Sequence, residues 1–327
     1  MISEEDKIMM ETLYWWGIPT LFRCKNDPNP NNCDIALVGV PHSTGNGTTE
    51  RDQHLGPRAV RNISAMLRRS HFDFKIDPWK LKKIHDLGDV PFPEANNNEK
   101  CIERISEFYD EIEKAGKPVV SIGGDHSITG GIIQSLAKKD SKLTKGKKIT
   151  LVHFDAHTDC FEKLDHFLGA KKSAAHWASY LVHQGNVDPH TSTQIGIRGN
   201  PRTLDWLQAS YDIGYQVITM EEYKELGHEK CSKMILDRLG DNPIYVTFDL
   251  DCLDANVAPG TANLEPAFRG FNMDEVRKLI QSLKGRNVIG GDVACLMPTK
   301  DNPNQITSMV AAAIMFEIIC LICVNSK

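Results

Sequence analysis

The chain has 327 residues, 41% of them apolar, and a formal net charge of −5. That length and apolar share allow one large core, and α/β folds often run this long as a single unit. The negative balance argues against a general nucleic-acid binder; no apolar run reads as long enough to span a bilayer; and the acidic opening Met1-Ile2-Ser3-Glu4-Glu5-Asp6 lacks the basic and apolar regions of a secretory signal.

Nine cysteines make an odd, scattered set. Cys320 and Cys323 have Cys-x-x-Cys spacing, but they lie in an apolar helical run and read as buried thiols. A reducing cytoplasm fits this usage.

In chain order, residues 1–33 read as an irregular extension that packs on the outside of the domain or on a partner subunit. It carries Trp15-Trp16-Gly17-Ile18-Pro19 and a Pro/Asn loop from Asn26 to Asn32. Residues 34–327 read as a single domain. Asp34 to Pro41 is the first clear strand. A loop rich in Gly, Thr and Asn comes next, from His42 to Gly56, and Pro57 opens a helix over Arg58 to Arg69. Lys83–Leu87 reads as a short strand and Asn98–Ala115 as an amphipathic helix. Pro118–Ile122 is a strand running into Gly123-Gly124-Asp125-His126-Ser127, with a helix over Ile128–Lys138. Ile149–Phe154 is the central strand. A helix containing His176 and Trp177 falls within Asp165–Gln184. Strands at Thr193–Ile197, Gln216–Ile218, Ile244–Phe248 and Asn287–Val293 alternate with helices at Leu204–Tyr211, Met220–Leu226, Lys230–Leu239 and Asp274–Leu283, and an apolar helix starts at Ile306. This alternation is the pattern of a parallel sheet covered on both faces.

Three strands end in groups that are costly to bury alone: His126 after one, Asp155, His157 and Asp159 after a second, Asp249 and Asp251 after a third. In a parallel α/β sheet the carboxyl ends of the strands share one edge, where sites form. Residues two apart on a strand point the same way, so Asp155, His157 and Asp159 can converge, as can Asp249 and Asp251. Four carboxylates and two imidazoles are too much negative charge for one cation. They suit two divalent cations with bridging carboxylates, a centre that can make water nucleophilic. Asp125 reads as an orienting group rather than a ligand. His153 lies on the ligand face or in the core, and is read here as a core histidine.

Gly123-Gly-Asp-His-Ser127, Asp155-Ala-His-Thr-Asp159 and Phe248-Asp-Leu-Asp-Cys-Leu-Asp254 with Ala258-Pro-Gly-Thr261 resemble the three signatures of the ureohydrolase family of arginases, agmatinases and related guanidino hydrolases. Gly39-Val-Pro41 with Gly56-Pro-Arg-Ala-Val60 resembles that family's N-terminal motif, so the likeness runs from about residue 34 onward. The resemblance implies a three-layer α/β/α fold with a mostly parallel central sheet, and a binuclear centre of manganese or, in some members, nickel. It implies His126, Asp155, His157, Asp159, Asp249 and Asp251 as ligands, with Asp155 and Asp251 as bridges. It implies His176 as the proton carrier, although Trp177 stands where Gly is usual. The reaction implied is hydrolysis of a C–N bond of a small cationic guanidino substrate, in a homo- or hetero-oligomer, trimeric or hexameric.

The likeness breaks at the substrate end. Cys295, in Asp292-Val-Ala-Cys-Leu-Met-Pro298, stands where the family carries a Glu that binds the guanidinium, and a thiol cannot accept two N–H bonds from a cation. Cys160-Phe161 replaces the polar residues with which arginases read an amino-acid end, and Ala262-Asn263-Leu264 replaces Gly-Thr-Pro. Cys295, Trp177, Phe161 and Asn263 are therefore the candidate substrate contacts, and the Trp15-Trp16 segment and the Phe161–Ala175 loop are expected to line or cover the pocket. Arginine is disfavoured as substrate. Two rival readings are an accessory subunit of a hetero-oligomer, which need not have kept six ligands, and a phosphoester hydrolase, for which no Arg or Lys cluster flanks the motifs.

Overall fold

Side chains along a strand alternate between the two faces of a sheet, and here both faces are apolar. The computed structural model describes residues 3–6, 13–46, 51–162, 170–201, 203–265 and 269–325. Its strands are β1 (Lys25–Asn26), β2 (Ile35–Val40), β3 (Ile84–Asp89), β4 (Val119–Gly123), β5 (Thr150–Phe154), β6 (Thr193–Ile197), β7 (Gln216–Thr219), β8 (Ile244–Asp249) and β9 (Val288–Ala294). They form one sheet in the order β1-β3-β2-β4-β9-β8-β5-β6-β7, and every pairing is parallel.

Leu37, Ile122, Phe154 and Phe248 face one helical layer, built from Gly56–Ser64, Met220–Arg238, Met273–Gln281 and Ile306–Asn325. Val38, Val119, Leu151 and Tyr245 face the other, built from Asn98–Lys114, Ile128–Leu136 and Trp177–His183. The result is the three-layer α/β/α arrangement that the alternating pattern calls for. The helix Met220–Arg238 begins with a Thr219/Glu222 capping box and breaks at Gly227, whose φ of 79° L side chains avoid. That break separates the two helices expected on either side of it.

Two sequence expectations need correction. The first concerns membrane length. The helix Ile306–Asn325 has 20 residues and a mean hydropathy of 2.4, enough to cross a bilayer, but 78% of that window is buried inside the molecule. It packs between β9 and the helix Gly56–Ser64. Its one charged residue, Glu317, accepts hydrogen bonds at 2.9 Å from His71 and 3.0 Å from Gln281, so it is satisfied within the fold.

The second concerns the start of the chain. Within 1–33, Leu21 and Phe22 are buried in the core and β1 pairs with β3, so this stretch is not merely external. The cause is Asp86, 0% exposed, which accepts from Leu21 N at 3.0 Å and from Arg61 Nε and Nη2 at 2.8 and 2.9 Å. Burial alone would raise this carboxyl; the Arg61 contacts outweigh it and lower it. Asp86→Ala should reduce unfolding free energy by about 2–4 kcal/mol, because it leaves Leu21 N and Arg61 Nε and Nη2 without their acceptor, while Arg61 Nη1 keeps Asp89 at 2.6 Å. Urea denaturation measures this, and a loss below about 1 kcal/mol would remove Asp86 as the anchor.

Candidate metal centre

The order of strands brings three loops together. β4, β9, β8 and β5 are neighbours in the middle of the sheet, so the residues after their carboxyl ends meet at one edge. After β4 the chain turns through Gly123-Gly124 tightly against the loop after β2. Gly124 N donates to Val40 O at 2.8 Å, and Asp125 N to His42 O at 2.9 Å. Any Cβ at Gly124 would collide with the His42 carbonyl, which is why glycine stands there. Asp125 accepts from Ser127 N at 3.0 Å and Gly45 N at 2.8 Å, so it fixes this turn and stays out of the cluster.

The turn aims His126, 1% exposed, at the carboxylates. Its Nδ1 lies 2.9 Å from Asp155 Oδ2, 3.1 Å from Asp159 Oδ2 and 3.3 Å from Asp249 Oδ2. A second constellation lies beside it. His157 Nδ1 is 3.1 Å from Asp251 Oδ2 and 3.4 Å from Asp155 Oδ1. Asp155 thus presents one oxygen to each imidazole and belongs to both groups. Asp249 Oδ1 accepts from Asp251 N at 2.9 Å, and Asp251 Oδ1 from Ala156 N at 3.1 Å, which ties the β8 loop to the β5 loop. All six groups expected from the sequence converge.

The electrostatics are those of carboxylates buried close together. Burial and the charges of Asp251 and Asp155 push the Asp249 carboxyl up to about 8. Burial and Asp155 raise Asp159. Burial disfavours ionisation of Asp155 too, but contacts from His126, His153 and His157 hold it well below the usual range. Burial likewise favours neutral imidazoles, yet the carboxylates outweigh it and push His126 and His157 well above the histidine range. His126 Nδ1 is buried and forms no hydrogen bond despite three carboxylate oxygens around it. A buried nitrogen that orphaned, ringed by hard oxygens, fits a divalent cation.

Other placements correct or extend the sequence reading. His153 is buried, as expected of a core histidine, but it lies on the ligand face: its Nε2 is 2.8 Å from Asp155 Oδ2. Alternation places it there, two residues before Asp155. Trp177 is 0% exposed and does not line an open pocket. Its Nε1 donates to Asp159 Oδ2 at 2.7 Å, and its ring lies 4.9 Å from those of His126 and His153. It forms a wall of the centre. His176 caps the helix Trp177–His183, is 8% exposed and lies 2.5 Å from Ser173 Oγ through Nδ1.

Cys295 directly follows the central strand β9 at a φ of 69°, its N donating to Gly124 O at 2.7 Å. That left-handed backbone is costly for a cysteine and is held by the loop that carries His126. Burial and the nearby Asp249 and Asp251 push its thiol well up, so it is a neutral group at the floor of the site. Cys160 is fully buried, 3.6 Å from Gln194 Nε2, and packs in the core. Phe161 and Asn263 are partly exposed on the loops after β5 and β8. Among the described residues neither gives the six groups a side-chain hydrogen bond. Residues 163–169 of the expected covering loop lie outside the described residues.

Glu265 was missed. Its Oε1 lies 3.4 Å from His157 Nε2, and Arg198 holds its carbonyl. No sequence signal points to it, because Asn263-Leu264-Glu265 is irregular loop. Also missed were Thr247 and Asp292, polar residues inside apolar strands; each stands where a core side chain is expected.

Known proteins resemble this chain along most of its length. The model of the Arginase family matches residues 33–321. A guanidinopropionase of Pseudomonas aeruginosa is 34% identical over 308 residues, 94% of this chain and 92% of that protein. A mitochondrial guanidino acid hydrolase of Homo sapiens is 33% identical over 307 residues, 93% of this chain and 82% of that protein. The solved structure of proclavaminate amidino hydrolase from Streptomyces clavuligerus superposes with a TM-score of 0.85 at 28% identity, covering 96% of this chain and 99% of that one.

Proposed function

Because this chain belongs to the arginase family, we propose that it is a hydrolase of a C–N bond in a small cationic guanidino compound. The carrying observation is the double cluster that shares Asp155, with His126 Nδ1 left unbonded among carboxylates. His126, Asp155, Asp159 and Asp249 would hold one divalent cation, and His157, Asp155 and Asp251 a second. Manganese or nickel suits this donor set. Bound there, the two ions would supply the Lewis acidity that makes water a nucleophile near neutral pH.

The chain's own groups do the rest. Asp155 fixes the spacing of the two halves. The indole of Trp177 and the imidazole of His153 hold Asp159 and Asp155 in place. Water adds to the guanidinium carbon, the C–N bond breaks, and the departing amine takes up a proton, giving urea or a substituted urea. We assign the transfer of that proton to His176, a buried imidazole at the head of its helix.

The substrate end is altered. The thiol of Cys295 offers no carboxylate to a guanidinium, and Cys160 is packed away from any substrate tail. A compound without an amino-acid end, such as agmatine, a guanidino acid, guanidine or a biguanide, fits this better than arginine.

Product analysis by mass spectrometry tests the proposal. Metal-free protein is loaded separately with manganese and with nickel, and offered arginine, agmatine, guanidinobutyrate, guanidine and dimethylbiguanide. Turnover of one or more of the last four above arginine is the expected result. Arginine turned over with the highest kcat/KM would defeat the specificity, and no turnover with metal bound would favour an accessory subunit. A cytoplasmic, oligomeric enzyme is part of the same proposal. Trp15, Trp16 and Ile18, which are 65%, 50% and 91% exposed, suit a subunit contact. Sedimentation should give a trimer or hexamer.

Trp177→Phe should weaken metal binding by about 10–100-fold, since the ring is kept while the Asp159 hydrogen bond is lost. Titration with nickel measures it. Unchanged affinity would reduce Trp177 to packing.

A further inference from the structure

One strand step below the ligands, a row of polar side chains crosses the sheet. Ser121, Asp292, Thr247, His153 and Gln194 stand in register on β4, β9, β8, β5 and β6. All five are buried. At its centre, Asp292 is 0% exposed and collects three hydroxyls. Thr247 Oγ1 donates to its Oδ1 at 2.8 Å; Thr129 Oγ1 and Tyr245 Oη donate to its Oδ2 at 3.0 and 2.9 Å. On its other side Thr247 Oγ1 lies 2.8 Å from His126 Nε2.

With Asp292 ionised and accepting from three hydroxyls, and with Thr247 closer to it (2.8 Å) than to Thr129 Oγ1 (3.2 Å), the hydrogen count along this chain has one solution. A threonine hydroxyl has a single hydrogen. Thr247 gives it to Asp292, so toward His126 it can only accept. Nε2 of His126 must then carry a hydrogen. In a neutral ring this leaves Nδ1 with its lone pair, and Nδ1 is the nitrogen that faces Asp155, Asp159 and Asp249.

We propose that Asp292, acting through Thr247, is a positioning residue that fixes which nitrogen of His126 carries the hydrogen and so which one is offered to a cation. The proposal rests on the two-cation reading above. Asp292 touches neither substrate nor cation. It orients the hydroxyl that orients the imidazole, as outer groups commonly do around metal-binding histidines. Asn at this position is the informative change. Its amide nitrogen donates, so at least one of the three hydroxyls must turn round. If Thr247 reverses, it donates to Nε2, and the hydrogen of the neutral ring moves to Nδ1, where it blocks binding.

The test uses the full-length chain in four forms: unchanged, Asp292→Asn, Thr247→Val and Thr247→Ser. Nickel and manganese stoichiometry is measured by elemental analysis and affinity by calorimetry. Zinc-loaded, histidine-labelled protein reports by long-range nitrogen–hydrogen NMR which nitrogen of His126 bears the hydrogen. Circular dichroism and thermal unfolding check folding.

The expected result is an Nε2–H on His126 in the unchanged protein. Asp292→Asn and Thr247→Val should weaken binding at one of the two sites by about 10–100-fold. Thr247→Ser, which keeps the hydroxyl, should restore affinity to within about threefold. If Asp292→Asn does not fold, the Val and Ser forms carry the comparison, because they differ in the hydroxyl. Full affinity in Thr247→Val, or an Nδ1–H in the unchanged zinc form, overturns the relay while two bound ions leave the functional reading standing. Failure of the unchanged protein to bind any divalent cation overturns both.

Discussion

Asp155→Asn is expected to bind no more than one divalent cation per chain and to lose turnover on the order of a thousandfold, the scale of removing one electrostatic element of a catalytic site. The size of the effect comes from position. One carboxylate serves both groups, with Oδ2 at 2.9 Å from His126 and Oδ1 at 3.4 Å from His157. It also accepts from His157 N at 2.7 Å and lies 2.8 Å from His153 Nε2. An amide has one acceptor end and one donor end, so it can satisfy one half only. Asp125→Asn is the control. That carboxylate holds the Gly45 and Ser127 backbone of the turn that aims His126 but is not one of the six ligands, so two cations should still bind, with weakened affinity at the His126 half. Elemental analysis together with kcat/KM reads both variants. Two ions in Asp155→Asn would show that the centres do not share this group.

The second large effect is in pH. In the metal-free protein the imidazoles of His126 and His157 are held above the histidine range, and Asp249 is pushed up to about 8. A cation needs these groups without their protons, so loading releases protons. Apparent affinity should tighten by about tenfold or more per pH unit between about pH 6 and pH 8, one factor of ten for each proton released.

Stability of the metal-free protein should run the other way. A histidine raised on folding stabilises fully below its unfolded value of about 6.5 and loses that contribution as pH rises through the folded value. A carboxyl raised on folding also costs stability as pH rises above its unfolded value of about 3.9. Both slopes are negative. Asp155, held low in the folded protein, is ionised throughout this range in both states and adds no slope. The melting temperature of metal-free protein should therefore fall from pH 6 to pH 9, and the rise produced by nickel or manganese should grow. Calorimetry in buffers of different ionisation enthalpy counts the protons. No proton release, or a metal-free protein that gains stability with pH over this range, would contradict this picture of the cluster.

The sequence shows the ligands well because each sits at the end of an apolar run. A run such as Leu151-Val152-His153-Phe154 marks a strand, and the residues just past its end mark the sheet edge where a parallel fold places its site. The same signal does not carry inward. Thr247 and Asp292 lie within such runs, where a polar residue has no local meaning; their partners Thr129, Tyr245 and His126 come from other elements. His153 could have been placed by alternation, since it stands two residues before Asp155. Trp177 was legible as an unusual residue, but its role depends on Asp159, 18 positions away. Glu265 sits on irregular backbone, for which periodicity says nothing. The helix Ile306–Asn325 fails in the opposite sense, because length and composition alone do not distinguish a buried core helix from a membrane span.

The place of β9 in the sheet bears on how the chain is made. It is the last of the nine strands to leave the ribosome, yet it lies in the middle, between β4 and β8. Until it is synthesised, those two strands keep open edges, and His126 has no scaffold joining it to the aspartates beyond. Such edges template wrong pairing. The nascent chain must therefore wait, most of its sheet sequence already exposed, for a seven-residue strand to close the gap. A product truncated before Val288 would contain every one of the six ligands and still have no strand to bring them together.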